Sequence, residues 1–143
     1  MPKVVVTGIR EIDRKLKRLA PAVQRKVVRH AMRSGMKLVL AEAQVLVPVL
    51  SGLTRDNLEI HQARPKRGAL TLLVRVKKNE GFLKTGKQGE RWFYPAAVEF
   101  GHAGPRPAPP HPFMRPAYIT QGPAARDRTL SELLDGTMKE VNS

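Results

Sequence analysis

The side chains able to do acid–base or metal chemistry are few and dispersed. The four histidines are His30, His61, His102 and His111, and the chain has no cysteine. Without a thiol, a disulfide framework, a thiolate zinc site and a cysteine nucleophile are all excluded. His102 and His111 share one proline-rich stretch, but no carboxylate or third ligand stands near them, so they read as loop histidines. Glu99 is the one carboxylate inside an apolar run, Ala96-Ala97-Val98-Glu99-Phe100. A general acid or base needs a proton partner in reach; a structural pairing with an arginine such as Arg115 is the better reading. None of GxGxxG, GxxxxGK[ST], HExxH or GxSxG occurs. The expectation is a protein that is not an enzyme, with no catalytic residue, no metal and no cofactor.

Charge is the stronger signal. Lys and Arg number 26 against 12 Asp and Glu, a formal net charge of +14 over 143 residues. Residues 1–40 hold eleven basic and two acidic side chains, and residues 61–91 hold nine and two. Residues 92–143 are balanced at five and five. At about 100° per residue, Arg25, Lys26, Arg29, His30, Arg33 and Lys37 fall on one arc of a helix. Such a row suits a phosphate backbone or an acidic protein surface. No aromatic residue interleaves with it, so base stacking is not supported. The residues expected to face DNA or an acidic partner are Arg25, Lys26, Arg29, Arg33 and Lys37.

Six of the seven aromatics, Trp92, Phe93, Tyr94, Phe100, Phe113 and Tyr118, lie between 92 and 118. They form either a small core cluster or an aromatic and proline surface that packs on another subunit.

The elements that must position these groups follow from spacing. Val4-Val5-Val6 reads as a short strand. Ile9, Ile12, Leu16 and Leu19 mark one face of a first helix. Pro21 breaks it and can open a second, from about Ala22 to Val47, because its missing N–H costs nothing in a first turn. Val27, Ala31, Val39 and Val45 lie opposite the cations, and Gly35 on that side can admit a close neighbour. Pro48 stops this helix, and Ser51-Gly52 permits a tight reversal. Residues 53–60 lead towards a strand that pairs with residues 70–76 as an antiparallel hairpin, with Leu72, Val74 and Val76 on one face. Residues 77–91 read as a mobile loop. Residues after Pro95 form a short helix, and residues 101–116, rich in proline, an extended arm. A final helix spans 124–141. The sum is one α+β domain over 1–143: long amphipathic helices on a small antiparallel sheet, with an extended Pro-rich arm. No secretory signal or membrane span is visible, which fits a soluble protein of a reducing compartment.

Three ordered segments resemble a known family. They are Pro48-Val49-Leu50-Ser51-Gly52-Leu53 with Asn57-Leu58, then Tyr94-Pro95-Ala96-Ala97-Val98-Glu99-Phe100-Gly101-His102, then Pro110-His111-Pro112-Phe113-Met114-Arg115-Pro116-Ala117. Together, over roughly residues 8–118, they resemble the tail-component family of lambda-like tailed bacteriophages, also called tail-completion or head–tail joining proteins. The family usually has a threonine where His102 stands. The resemblance implies a structural virion protein in a homo-oligomeric ring, a hexamer, at the tail/neck junction. The tail terminator or tail tube would lie on one side and connector or stopper neck proteins on the other. Genomic double-stranded DNA would pass through the axis, contacted without sequence specificity. Localisation would be the virion, with the host cytoplasm during assembly. On this reading Trp92, Tyr94, Glu99, Phe100, Phe113, Met114 and Arg115 make intersubunit contacts, and Pro48, Ser51 and Gly52 form a structural turn. The basic helix faces either the DNA channel or an acidic neighbouring ring. The competing reading is a basic nucleic-acid-binding protein without ring assembly.

Overall fold

The computed structural model describes residues 9–48, 52–77, 82–85, 91–103 and 107–143. The expected strand at Val4–Val6 lies outside the described residues. The first element is helix α1, Ile9–Lys17. Pro21 occupies the first turn of helix α2, Pro21–Leu46. That helix closes at Val47, whose N–H still reaches the Ala43 carbonyl at 2.9 Å while its ψ of 130° turns the chain away; Pro48 follows. Twenty-six residues give a rod of about 39 Å.

The buried residues of α2 are Val27, Ala31, Gly35, Val39 and Ala43, a ridge at strict four-residue spacing. Helix α5, Met114–Val141, answers with Ala117, Ala125 and Thr137 on the same period. The two rods run antiparallel, since Val27 lies by Gly136, His30 by Glu132, Ser34 by Arg128 and Gly35 by Ala125. Two four-spaced ridges interlocking is a common way for helices to pack. Gly35 sets the closest approach: a Cβ there would run into Thr129 Oγ1 and the Ala125 carbonyl. The expectation of a close neighbour at Gly35 therefore holds, and the neighbour is α5.

The one-turn helix α3, Leu53–Asp56, leads into strand β1, Leu58–Gln62, which pairs antiparallel with β2, Leu72–Val76. Leu58 faces Val76, Ile60 faces Val74 and Gln62 faces Leu72. Leu58, Leu72 and Val74 are buried while Leu73 and Arg75 point out, as period-two alternation requires. The inner face of this hairpin lies on the C-terminal half of α2. One core cluster joins Val39, Ala43 and Val47 to Leu58, Val74, Phe113, Ala117 and Ala125. The α+β architecture of long helices on a small antiparallel sheet is thus as the spacing predicts.

Three expectations are corrected. The segment 77–91 is not simply a loop: Phe82 is buried, and strand β3, Leu83–Thr85, pairs antiparallel with β4, Arg91–Phe93. Residues 78–81 and 86–90 lie outside the described residues. The segment 101–116 is not a free arm. Helix α4, Tyr94–Phe100, ends at Gly101 with φ +71°, and Pro110 N and Ala108 O lie 2.8 and 2.9 Å from where a Cβ would stand. His102 and Ala108 exchange backbone hydrogen bonds of 3.1 and 3.0 Å, and the His111 N–H donates to the Val98 carbonyl at 2.8 Å. Pro109 and Pro110 are thus folded back against α4 and Gly101; residues 104–106 lie outside the described residues. Finally, the last helix begins at Met114 and not at 124. Pro116 falls in its first turn, where no intrahelical N–H is needed, and Pro123 is carried in its interior.

Candidate functional site

Two surfaces of this helix pair carry the residues of interest. The first lies where α2 ends and α5 begins. Gly52 is buried in the left-handed region at φ +75°, which the Ser51-Gly52 reversal requires; Ser51 itself lies outside the described residues. Asn57 Nδ2 donates to the Leu53 carbonyl at 2.8 Å and closes the turn. Pro48, Tyr94, Ala97 and Val98 line an apolar groove of about 330 Å³. Ala108 and Pro109 line it too, with His102 and His111. The groove thus draws on the turn after α2, on α4 and on the folded-back prolines.

Glu99 organises this end. Phe113 stands at the N-cap of α5, but a phenyl ring cannot accept the orphan N–H groups of a helix start. Glu99 accepts them from α4. Phe113 and Met114 donate backbone N–H to Oε2 at 2.8 and 3.0 Å, and Arg115 donates to Oε1 at 3.2 Å. Glu99 is only 9% exposed, and both its oxygens accept from the first turn of α5. The expected partner, the Arg115 side chain, is replaced by the backbone of the same residue. Helix N-termini demand anions, and the guanidinium remains exposed.

The residues expected at a subunit contact therefore separate. Phe113 is 1% exposed and Glu99 is buried, so both serve the interior of the protomer. Met114 and Tyr94 are half-buried, Met114 against the core and Tyr94 in the groove. Trp92 lies on β4 opposite Lys84. Phe100 is 79% exposed and Arg115 is exposed. Tyr118 on α5, read above as either core or subunit surface, is exposed, and so are two apolar residues not anticipated as contacts, Val45 on α2 and Ile119 on α5. The signal existed. With Ala117 inward, the next two side chains of a helix must turn about 100° and 200° away. Reading it required knowing that the helix starts before Pro116.

The second surface lies at the opposite end of the pair. Arg25, Lys26, Arg29, Arg33 and Lys37 are all exposed along α2, as expected. Lys26 and His30 also border a groove of about 340 Å³ whose other wall is α5, with Glu132, Asp135 and Glu140 beside one cation, Lys139. His30 Nε2 lies 4.0 Å from Glu132 Oε2, and Arg128 Nε donates to Ser34 Oγ at 3.0 Å. Part of the basic row thus already faces carboxylates of its own chain. Thr137 is buried here, and its hydroxyl has no partner.

Among the described residues, no three His, Asp or Glu side chains gather as metal ligands. None of the described helices is long and apolar enough to cross a membrane. Compared with known proteins, the chain matches no family model, no curated protein and no solved structure.

Proposed function

We propose that this chain is a non-enzymatic structural protein of a tailed-phage virion. In this reading it assembles as a ring at the tail/neck junction, completes the tail and joins it to the head, with DNA passing through the axis. The observation that carries the reading is convergence. The three segments that resemble tail-completion proteins meet in one place. Pro48 belongs to the first, Tyr94, Ala97, Val98 and His102 to the second, and His111 to the third; all line one groove. Glu99 of the second segment caps the helix that the third begins. At the same end, Val45, Phe100, Tyr118 and Ile119 expose large apolar side chains, the kind of surface that subunit interfaces bury.

The intersubunit role moves accordingly, from the Pro-rich segment to these exposed residues. Native mass spectrometry and electron microscopy of the purified protein test it. Closed rings are expected, and Phe100→Asp with Ile119→Asp should shift the population to folded monomers. A wild-type chain that stays monomeric at high concentration would sink the ring reading.

A second reading, a basic nucleic-acid-binding protein without a ring, is favoured by the open part of the cationic row, Arg25, Arg29, Arg33 and Lys37. On that reading, a monomer binds duplex DNA with a log–log salt slope of about −0.9 per phosphate contacted.

A further inference from the structure

The hairpin does not end where the core ends. Beyond Gln62 and Leu72 its ladder continues: Ala63 N–H donates to the Thr71 carbonyl at 3.0 Å, and Lys66 bridges Ala69. Every residue from Arg64 to Ala69 is exposed. From the Ala63–Thr71 bond to the tip the ribbon extends about 13 Å. Residues 61–77 contain Arg64, Lys66, Arg67, Arg75 and Lys77 and no carboxylate. Arg75 is already engaged, with Nε 3.0 Å from Glu59 Oε1 at the base of the hairpin. Among the described residues, Arg64, Lys66 and Arg67 pair with no acid. In α2, Lys26 and His30 border a groove with Glu132, Asp135, Lys139 and Glu140, while Arg25, Arg29, Arg33 and Lys37 form a second patch that likewise pairs with no acid among the described residues.

The turn itself is unusual. Its central residues, Arg67 and Gly68, have φ of +53° and +77°. Positive φ at both positions is the turn that matches the twist of a hairpin, and asparagine or glycine is at ease there. Arginine is not, and Arg67 is the one non-glycine with positive φ among the described residues. A residue kept in a conformation it disfavours, at the exposed tip of a hydrogen-bonded ribbon, points to a use for its side chain.

We infer that the tip of this hairpin, through Arg64, Lys66 and Arg67, is the surface by which the protein grips the phosphate backbone of duplex DNA. A two-stranded ribbon fits the major groove, which is about 12 Å wide. Three cations at its end reach the flanking phosphates, and contacts to phosphate carry no sequence information. The contact is non-specific and driven by counterion release. It deepens the proposed function by naming where the axial DNA is held, yet it is a property of the protomer and stands without the ring.

The test uses the full chain and a duplex of random sequence, with binding followed by fluorescence anisotropy from about 50 to about 200 mM salt. The variant is R64Q/K66Q/R67N, in which asparagine suits the left-handed position, so the turn is retained while its charge is removed. Its salt slope is expected to be shallower by about 2 to 3, with affinity down at least about tenfold at the low-salt end. Thermal unfolding should be unchanged or slightly raised. The matched R25Q/R29Q/R33Q variant removes the same charge from the side of α2, and a slope change equal to or larger than that of the hairpin variant overturns the inference. An unaltered slope in the hairpin variant overturns the inference. So does a wild-type protein that ignores duplex DNA at low salt, or one that prefers polyglutamate, which would mark an acidic protein as the partner. Native mass spectrometry of the wild type keeps the two ideas separate: a monomer that binds DNA through the tip removes the ring and keeps the tip.

Discussion

The two ends of the α2–α5 pair are built on opposite principles. Where α2 stops and α5 starts, Val39, Ala43 and Val47 close against Phe113 and Ala117, and a carboxylate from a third helix caps the junction. Where α5 ends, Lys26 and His30 face Glu132, Asp135 and Glu140 across an open groove, and the Thr137 hydroxyl is buried unpaired. The first end is held by dry packing and satisfied polar groups. The second has one long, solvent-exposed His30–Glu132 contact of 4.0 Å and tolerates a polar orphan. Stability and candidate contact residues concentrate at the first end, while charge concentrates at the second.

The largest test of this contrast is Glu99→Ala. It strips an anion from three N–H groups, one of them on buried Phe113, and should cost about 3 kcal/mol by urea unfolding. Glu99→Gln should cost less, because one oxygen remains an acceptor. Wild-type stability in the alanine variant would show that the first end is held by packing alone. Next comes Gly35→Ala, midway between the ends. Overpacking against backbone at the tighter limit costs about 3 kcal/mol. Better helix propensity returns about 1. A net loss of about 2 kcal/mol is expected in the same assay. At the charged end the sign reverses: Thr137→Val removes an unsatisfied buried hydroxyl and should stabilise by about 1 kcal/mol. Destabilisation there would mean that the orphan has a partner after all.

The smallest effect belongs to α1. Glu11 is held below the usual carboxylate range by its hydrogen bond to Lys15, helped by the Lys15 charge. Lys15 in turn reaches Met138 Sδ at 3.4 Å on the charged end of α5. A lowered folded-state pKa stabilises above the unfolded value of 4.5 and loses that contribution as pH falls through the folded value. Amide protection factors in α1, taken relative to the intrinsic exchange rate at each pH, should therefore fall on acidification, and Glu11→Gln should remove that acid dependence.

Much of the frame was legible in the sequence because it rests on local rules. Pro21 and Pro48 bracket α2 to within a residue or two, and alternation from Leu72 to Val76 fixes which side of the hairpin is buried. The glycine closing Ala97-Val98-Glu99-Phe100 does what its type suggests. What escaped was non-local. Pro116 and Pro123 argue for extended chain, but packing along the length of α2 and the Glu99 cap outweigh one interior proline of about 3 kcal/mol. The partner of Glu99 lies 14 to 16 residues away across a proline-rich stretch, and it is backbone, which no residue type announces. The spacing of the basic row was readable, but the carboxylates facing it come from a helix whose start and register were not.

The Glu99 cap has a kinetic consequence. Phe100 follows Glu99 directly, and Tyr118 and Ile119 stand on the second turn of the helix that Glu99 holds. Their backbones are ordered in the isolated protomer, so a partner seated on these side chains has only rotamer freedom to quench. Encounter through these three side chains would then be governed by diffusion and mutual orientation.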